Sequence, residues 1–224
     1  LQSLLVLGLL PLLAFLGGAL TTTLVYLLGT REGGTSVTVM LLAGVAITTL
    51  SGAVIGLLTY LADDQMLRNL SLWQMGSLAA GKPVDVGLAL LTLVALLWLF
   101  MRDANPLNAL LLGEGEARHL GVNVQCLKRR LILLTAAGVG VAVAVAGMIG
   151  FVGLVVPHLV RLLAGPNHVR LLPLSALLGA ALLLGADMLA RTLLAPAEMP
   201  VGIITALLGA PFFIWLLIKS RRTL

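Results

Sequence analysis

The chain has 224 residues, of which 60% are hydrophobic and only 10% charged, with a mean hydropathy of +1.11. Soluble domains carry about 25% charged residues, so the composition excludes an ordinary soluble domain and points to a membrane protein. The net charge of +5 invites a nucleic-acid reading, but the basic residues stand at the ends of apolar runs rather than along one stripe, as on a membrane protein's inner face.

A bilayer core of about 30 Å takes about 20 helical residues at about 1.5 Å each. Residues 4–28 satisfy this as a first span, stopped by Thr30-Arg31-Glu32-Gly33-Gly34. No signal peptide precedes it. The chain begins at the edge of a span and reads as a fragment, or as numbered from inside a longer protein. Residues 39–61 form a second span, closed by Asp63-Asp64. Thr48, Thr49 and Ser51, with Gly44, Gly52 and Gly56, give it a small, weakly polar character. That suits either close helix packing or the lining of a wide path.

Residues 63–82 are semi-apolar and too short to span, with Trp73 placed as interfacial aromatics are. A short helix lying at the outer mouth, or a plain interfacial anchor, fits them. Gly76-Ser-Leu-Ala-Ala-Gly81-Lys82-Pro83 nearly matches a phosphate-cradling loop. Pro83 replaces the hydroxyl that would hold Mg²⁺, and no strand precedes it, so the match is rejected. Any ATP used is therefore hydrolysed by a partner.

Residues 84–101 form the third span, closed by Arg102-Asp103. After it, residues 104–122 make a polar island, Pro106-Leu-Asn-Ala-Leu-Leu-Leu-Gly113 and then Glu114-Gly-Glu-Ala-Arg-His-Leu-Gly121. Two short helices separated by Gly113 are expected, with Gly121 as a C-terminal stop. Leu110, Leu111, Leu112 and Leu120 would insert in a partner's groove, ringed by Glu114, Glu116 and Arg118. The alternative is a solvated loop.

The apolar run 131–165 is too long for one crossing, and Gly147, Gly150 and Gly153 mark where it turns back. Residues 172–190 and 203–218 complete seven spans. Asp187 and Arg191 stand four apart on one helix face, and Pro196-Ala-Glu198-Met-Pro200 makes a rigid turn before the last span.

With the C-terminus inside, the inner loops hold Arg31, Arg102, Arg118, Lys128, Arg129, Arg130, Arg161, Arg170, Lys219, Arg221 and Arg222. The outer loops hold only Arg68, Lys82 and Arg191, a strong positive-inside bias. His119, His158 and His168 form no metal-binding pair, and Cys126 is the only cysteine, so neither a metal cluster nor an internal disulfide is expected. No serine lies in G-x-S-x-G; Ser51 and His158 could be offered as an intramembrane protease pair, but their flanks give no support. No carboxylate falls at mid-depth, which argues against an ion-coupled carrier.

Together, residues 113–122, Gly150-Phe-Val-Gly-Leu-Val-Val-Pro-His158, Arg161 and Gly165-Pro-Asn-His168 carry a resemblance, as do Pro173, Ser175, Asp187, Arg191, Glu198-Met-Pro-Val-Gly202 and Gly209-Ala-Pro-Phe-Phe213. They resemble the permease subunit of ATP-driven importers for iron complexes and vitamin B12, the FecCD/BtuC-like family, with haem-import members most similar. The resemblance covers nearly all of residues 1–224, read as a single transmembrane permease domain. It implies an all-α, polytopic fold of roughly ten spans in the bacterial inner membrane, of which this chain supplies the last seven.

By the same resemblance, residues 104–122 are cytoplasmic coupling helices. Leu111, Gly113, Glu114, Glu116, Ala117, Arg118, Leu120 and Gly121 would dock on an ATPase dimer that binds ATP and Mg²⁺, the chain itself holding no cofactor. Arg191 corresponds to an arginine that meets a periplasmic substrate-binding protein. Thr35 and Thr38 resemble an inner gate, and Arg68 and Trp73 an outer gating helix; Thr48 and Ser51 are path candidates by the weakly polar character of their span rather than by the resemblance. A second copy of the chain, membrane lipid and no nucleic acid complete the expected partners. Haem is the leading cargo, with a ferric siderophore or cobalamin as alternative; an intramembrane enzyme is the rival class.

Overall fold

The structure, a computed structural model, describes residues 2–31, 34–79, 81, 83–193 and 199–221. Lys82 and the 194–198 part of the proline-bounded turn, with Glu198, lie outside the described residues, as do Glu32 and Arg222. In chain order the elements are α1 (Gln2–Gly29), β1 (Thr30–Arg31), β2 (Gly34–Thr35), α2 (Val37–Leu61), α3 (Asp64–Met75) and α4 (Pro83–Arg102). They continue with α5 (Ala104–Leu110), α6 (Glu114–His119), α7 (Val124–Ala146), α8 (Val152–Ala164), α9 (His168–Leu193) and α10 (Val201–Arg221).

Among the described residues, four helices are long and apolar enough to cross a membrane: Thr38–Leu61, Pro83–Arg102, Val124–Ala146 and His168–Leu193. Over the described side chains three further apolar stretches are shorter, Phe15–Gly29 within the 28-residue α1, Val152–Ala164 and Val201–Leu216. These seven coincide with the seven expected segments, but the count of full crossings is approximate. The 13 residues of α8 span about 20 Å, less than a bilayer core. Its limits have a local cause, because Phe151 before it and Gly165 after it both adopt positive φ.

Contacts divide the chain into two compact units, Leu1–Ser71 with Gly113–Val145, and Leu72–Leu112 with Ala146–Leu224. In the first, α1 and α2 form an antiparallel pair whose connection is a two-residue ladder, Thr30 opposite Thr35 and Arg31 opposite Gly34. The expected polar stop is thus a small hairpin. Ser36 caps α2 by accepting from the Val39 amide at 3.4 Å. Gly140 of α7 lies against the Phe15 backbone, where a Cβ would stand 2.8 Å from Phe15 Cα, and Tyr26 Oη donates to Gln125 Oε1. The side of α2 bearing Leu41, Leu42, Val45 and Leu57 is exposed. Apolar surface on this scale belongs against lipid or other helices.

In the second unit α9 is central, packing against α4, α5, α8 and α10. Val156, Val160 and Leu171 form one buried cluster; Ala186, Ala190, Val201 and Ile204 form another. The turn between α7 and α8 is pinned to the end of α3, where Trp73 O accepts from the amides of Gly76 and Met148, both at 3.3 Å. Gly147, at φ 72, passes so close that a Cβ would lie 2.4 Å from Trp73 O. The chain does turn back where the glycines cluster, and α3 is the surface it turns against.

Candidate functional site

The polar island folds as two short helices, one in each unit. Gly113 precedes α6 at φ 105 and ψ 159, a conformation that favours glycine because it has no Cβ. The end of α6 is a Schellman motif: Val122 N donates to Ala117 O and Gly121 N to Arg118 O, both at 2.9 Å, with Gly121 at φ 82. Both glycines thus occupy the positions expected of them.

Within the first unit α6 is fastened to α7. Ala117 of α6 is completely buried, and Val124 and Leu127 of α7 are buried as well. Asn123 caps α7 by accepting from the Cys126 amide at 3.1 Å. Lys128 Nζ lies 2.6 Å from Glu114 Oε1, and Arg118 Nη2 lies 3.8 Å from Glu114 Oε2. Glu116 and Leu120 are exposed, Leu120 at 63%.

Within the second unit α5 is fastened to α9. Asp103 is buried at the α4–α5 junction, its carbonyl accepting from the Leu107 amide at 2.9 Å. Asn108 reaches the first residues of α9, donating from Nδ2 to Asn167 Oδ1 at 3.1 Å and accepting from the His168 amide at 2.8 Å. Leu111 and Leu112 follow α5 and stay exposed. Sequence reasoning named neither Asn108 nor Lys128 as a holding residue. The available signal was an asparagine in a seven-residue helix and a Gly-Pro-Asn-His turn far along the chain.

Toward the other end of α9, Arg191 Nε donates to Asp187 Oδ2 at 2.8 Å, the expected i, i+4 pair. Both residues line a cavity of about 280 Å³ with Leu72, Ser77, Ala79, Met199, Pro200 and Val201. Arg191 remains half exposed.

The remaining candidates are spread along several elements of the chain. Thr35 lies in β2 and Thr38 in the first turn of α2, while Thr48 and Ser51 are exposed farther along α2. From Thr38 to Ser51 the helix rises about 20 Å. Arg68 and Trp73 are exposed on α3, a helix without buried residues. The near-match to a phosphate loop follows a helix, and its Gly76 is buried beneath Met148 and Ile149.

This architecture has close counterparts. Residues 2–219 match the FecCD transport family. The chain belongs to that family. Among FecCD-type relatives, it is 51% identical over 209 residues to the hemin transport system permease protein HmuU of Yersinia pestis, covering 93% of this chain. It is 45% identical over 204 residues to the vitamin B12 import system permease protein BtuC of Vibrio cholerae, covering 91% of this chain. The chain spans only 62% and 61% of the length of these two proteins. A solved structure described as an inward-facing conformation of a metal-chelate type ABC transporter superposes with a TM-score of 0.79 at 33% identity, covering 96% of this chain and 75% of that one.

Proposed function

We propose that this chain is the larger part of the membrane permease of an ATP-driven importer in the bacterial inner membrane, with haem as its cargo. The observation that carries the reading is the match to the FecCD transport family over residues 2–219. The stronger identity to a hemin permease, 51% against 45% for a vitamin B12 permease, favours haem.

In this reading residues 104–122 face the cytoplasm, as does the C-terminus, because that orientation puts the excess of Lys and Arg inside. Leu111, Leu112 and Leu120 enter grooves of a cytoplasmic ATPase dimer, while Glu114 and Arg118 frame Leu120. ATP and Mg²⁺ are bound and hydrolysed by that partner. Two copies of the permease enclose the path, with Thr35, Thr38, Thr48, Ser51, Arg68 and Trp73 along it. Arg191 receives an acidic side chain of a periplasmic substrate-binding protein.

Because α5 is fastened to α9 and α6 to α7, a push on the island reaches two long helices. Closure of the ATPases can then favour one gate state over the other. A ligand shifts such an equilibrium only by binding the two states differently.

The test is uptake into vesicles carrying the full-length permease, its ATPase and binding protein, offered haem, a ferric siderophore and cobalamin in turn. ATP-dependent accumulation of haem above the other two is expected. Cobalamin or siderophore accumulation without haem would replace the cargo assignment. An importer should bring a nucleotide-binding protein through purification, which an intramembrane enzyme need not.

A further inference from the structure

Asn108 belongs to α5, yet both polar atoms of its side chain amide engage the start of α9, 59 and 60 residues farther along the chain. The orientation of the amide is determined by its neighbours. Asn167 Oδ1 accepts from the Val169 amide at 3.0 Å, so the Asn108 atom facing it at 3.1 Å must be the donor Nδ2. Asn108 Oδ1 is then left for His168. It accepts from the His168 backbone amide at 2.8 Å and lies 3.0 Å from His168 Nδ1, which must carry a proton there.

A helix begins with N–H groups that have no partner in the helix, and a capping side chain ordinarily comes from the residue before its first turn. Here the task is divided. Asn167 serves the second amide, that of Val169, through its side chain, and the Arg170 amide donates to Asn167 O at 3.2 Å. The first amide, that of His168, is served by a different helix. His168 is 8% exposed, so water is a poor substitute for the missing acceptor.

We infer that Asn108 is a positioning residue that makes α5 and α9 one mechanical piece. Movement of α5 would carry the first turn of α9 with it or break the hydrogen bonds that Asn108 makes. The 26 residues of α9 form a rod of about 39 Å, and the Asp187–Arg191 pair stands near its other end. A displacement of α5 therefore acts on the first turn of α9 and reaches that pair along the helix, with Pro173 as the one interior break in its hydrogen-bond ladder. This rests on the reading of residues 104–122 as the segment that docks on the ATPase.

The test uses the full-length permease with its ATPase and binding protein in lipid vesicles, and has two readouts. Hydrogen exchange across residues 165–171 should quicken about tenfold in Asn108→Ala, the expected effect of leaving the part-buried His168 amide without its acceptor. It should return only in part in Asn108→Asp, which keeps the acceptor for the His168 amide at a helix start where negative charge is favourable but sets a second oxygen, in place of the donor, against Asn167 Oδ1. Uptake per ATP hydrolysed should fall about tenfold in the alanine variant and recover to within about threefold in the aspartate variant.

Unchanged exchange in Asn108→Ala overturns the inference, as does faster exchange with unchanged uptake per ATP. Equal impairment of the two variants overturns it too. Asn108→Ser replaces the alanine variant if the latter does not accumulate. The docking reading is scored separately, by whether Leu111→Asp with Leu120→Asp still retains the ATPase. Retention would sink that reading and leave the exchange result standing.

Discussion

Lys128 Nζ meets Glu114 Oε1 at 2.6 Å, tying the first residue of α6 to the second turn of α7. Lys128 is 18% exposed and Glu114 30%, so water screens the pair only in part. Its worth is about 1 kcal/mol, enough to hold a six-residue helix that has little cohesion of its own. Glu114→Lys should lower the unfolding midpoint by about 2–4 °C and reduce uptake per ATP, because it sets a third positive charge beside Lys128 and Arg118. Combining it with Lys128→Glu should restore both. A double variant no better than the single one would remove the pair from the account.

The exposed leucines of the island make a separate prediction. Leu111, Leu112 and Leu120 are 49%, 66% and 63% exposed on the segment that carries Glu114, Glu116 and Arg118. Burying a leucine side chain contributes about 1.5–3 kcal/mol, so Leu111→Asp or Leu120→Asp should each weaken ATPase association at least about tenfold. Glu116→Lys, on the exposed face of α6, should uncouple hydrolysis from uptake. Quantifying the ATPase that co-purifies with each variant, and uptake per ATP for Glu116→Lys, checks both.

Much of this architecture was legible because lipid simplifies the code. A bilayer fixes the length of an apolar run, and glycine marks where a run must break, as at Gly113, Gly121 and Gly147. What stayed hidden was pairing across distance. Nothing in a heptapeptide around Asn108 announces that its amide will cap a helix 60 residues away. The hairpin at residues 30–35 was read only as a stop, since two residues per strand are too few to show an alternating pattern. The turn into α8 was marked by its glycines, but not the residue at which the helix starts, because Phe151 takes a positive φ that its bulk gives no reason to expect.

Gly202 provides a prediction about stability alone. A Cβ there would stand 2.0 Å from Met75 O and 3.0 Å from Met75 C, backbone atoms at the end of α3. Backbone cannot swing aside as a side-chain tip can, so Gly202→Ala should destabilise by about 1–3 kcal/mol or more. Gly115 of α6 has nothing within 4 Å of its notional Cβ. Gly115→Ala should therefore be neutral or stabilise by about 0.5–1 kcal/mol. Thermal unfolding of the isolated permease in detergent compares the two, and equal midpoints would contradict the close approach.

Arg191 carries the prediction that bears on the opposite end of α9. Its Nε is engaged by Asp187 at 2.8 Å, yet half of the side chain stays exposed at the rim of a cavity that Asp187 also lines. Asp187 thus orients the guanidinium, and the planar fork remains suited to a second carboxylate from outside the chain. Arg191→Glu removes that attraction and sets two carboxylates four residues apart on one helix face. Binding of the substrate-binding protein should weaken about tenfold or more. Arg191→Lys should fall between, since it keeps the charge and loses the fork. Asp187→Asn should preserve binding, because it frees the guanidinium while leaving its charge intact. The discriminating measurement is the dissociation constant of the complex in nanodiscs across a salt series. The wild-type salt dependence should be steeper than that of Arg191→Glu, and identical constants for the two would take Arg191 out of the docking surface.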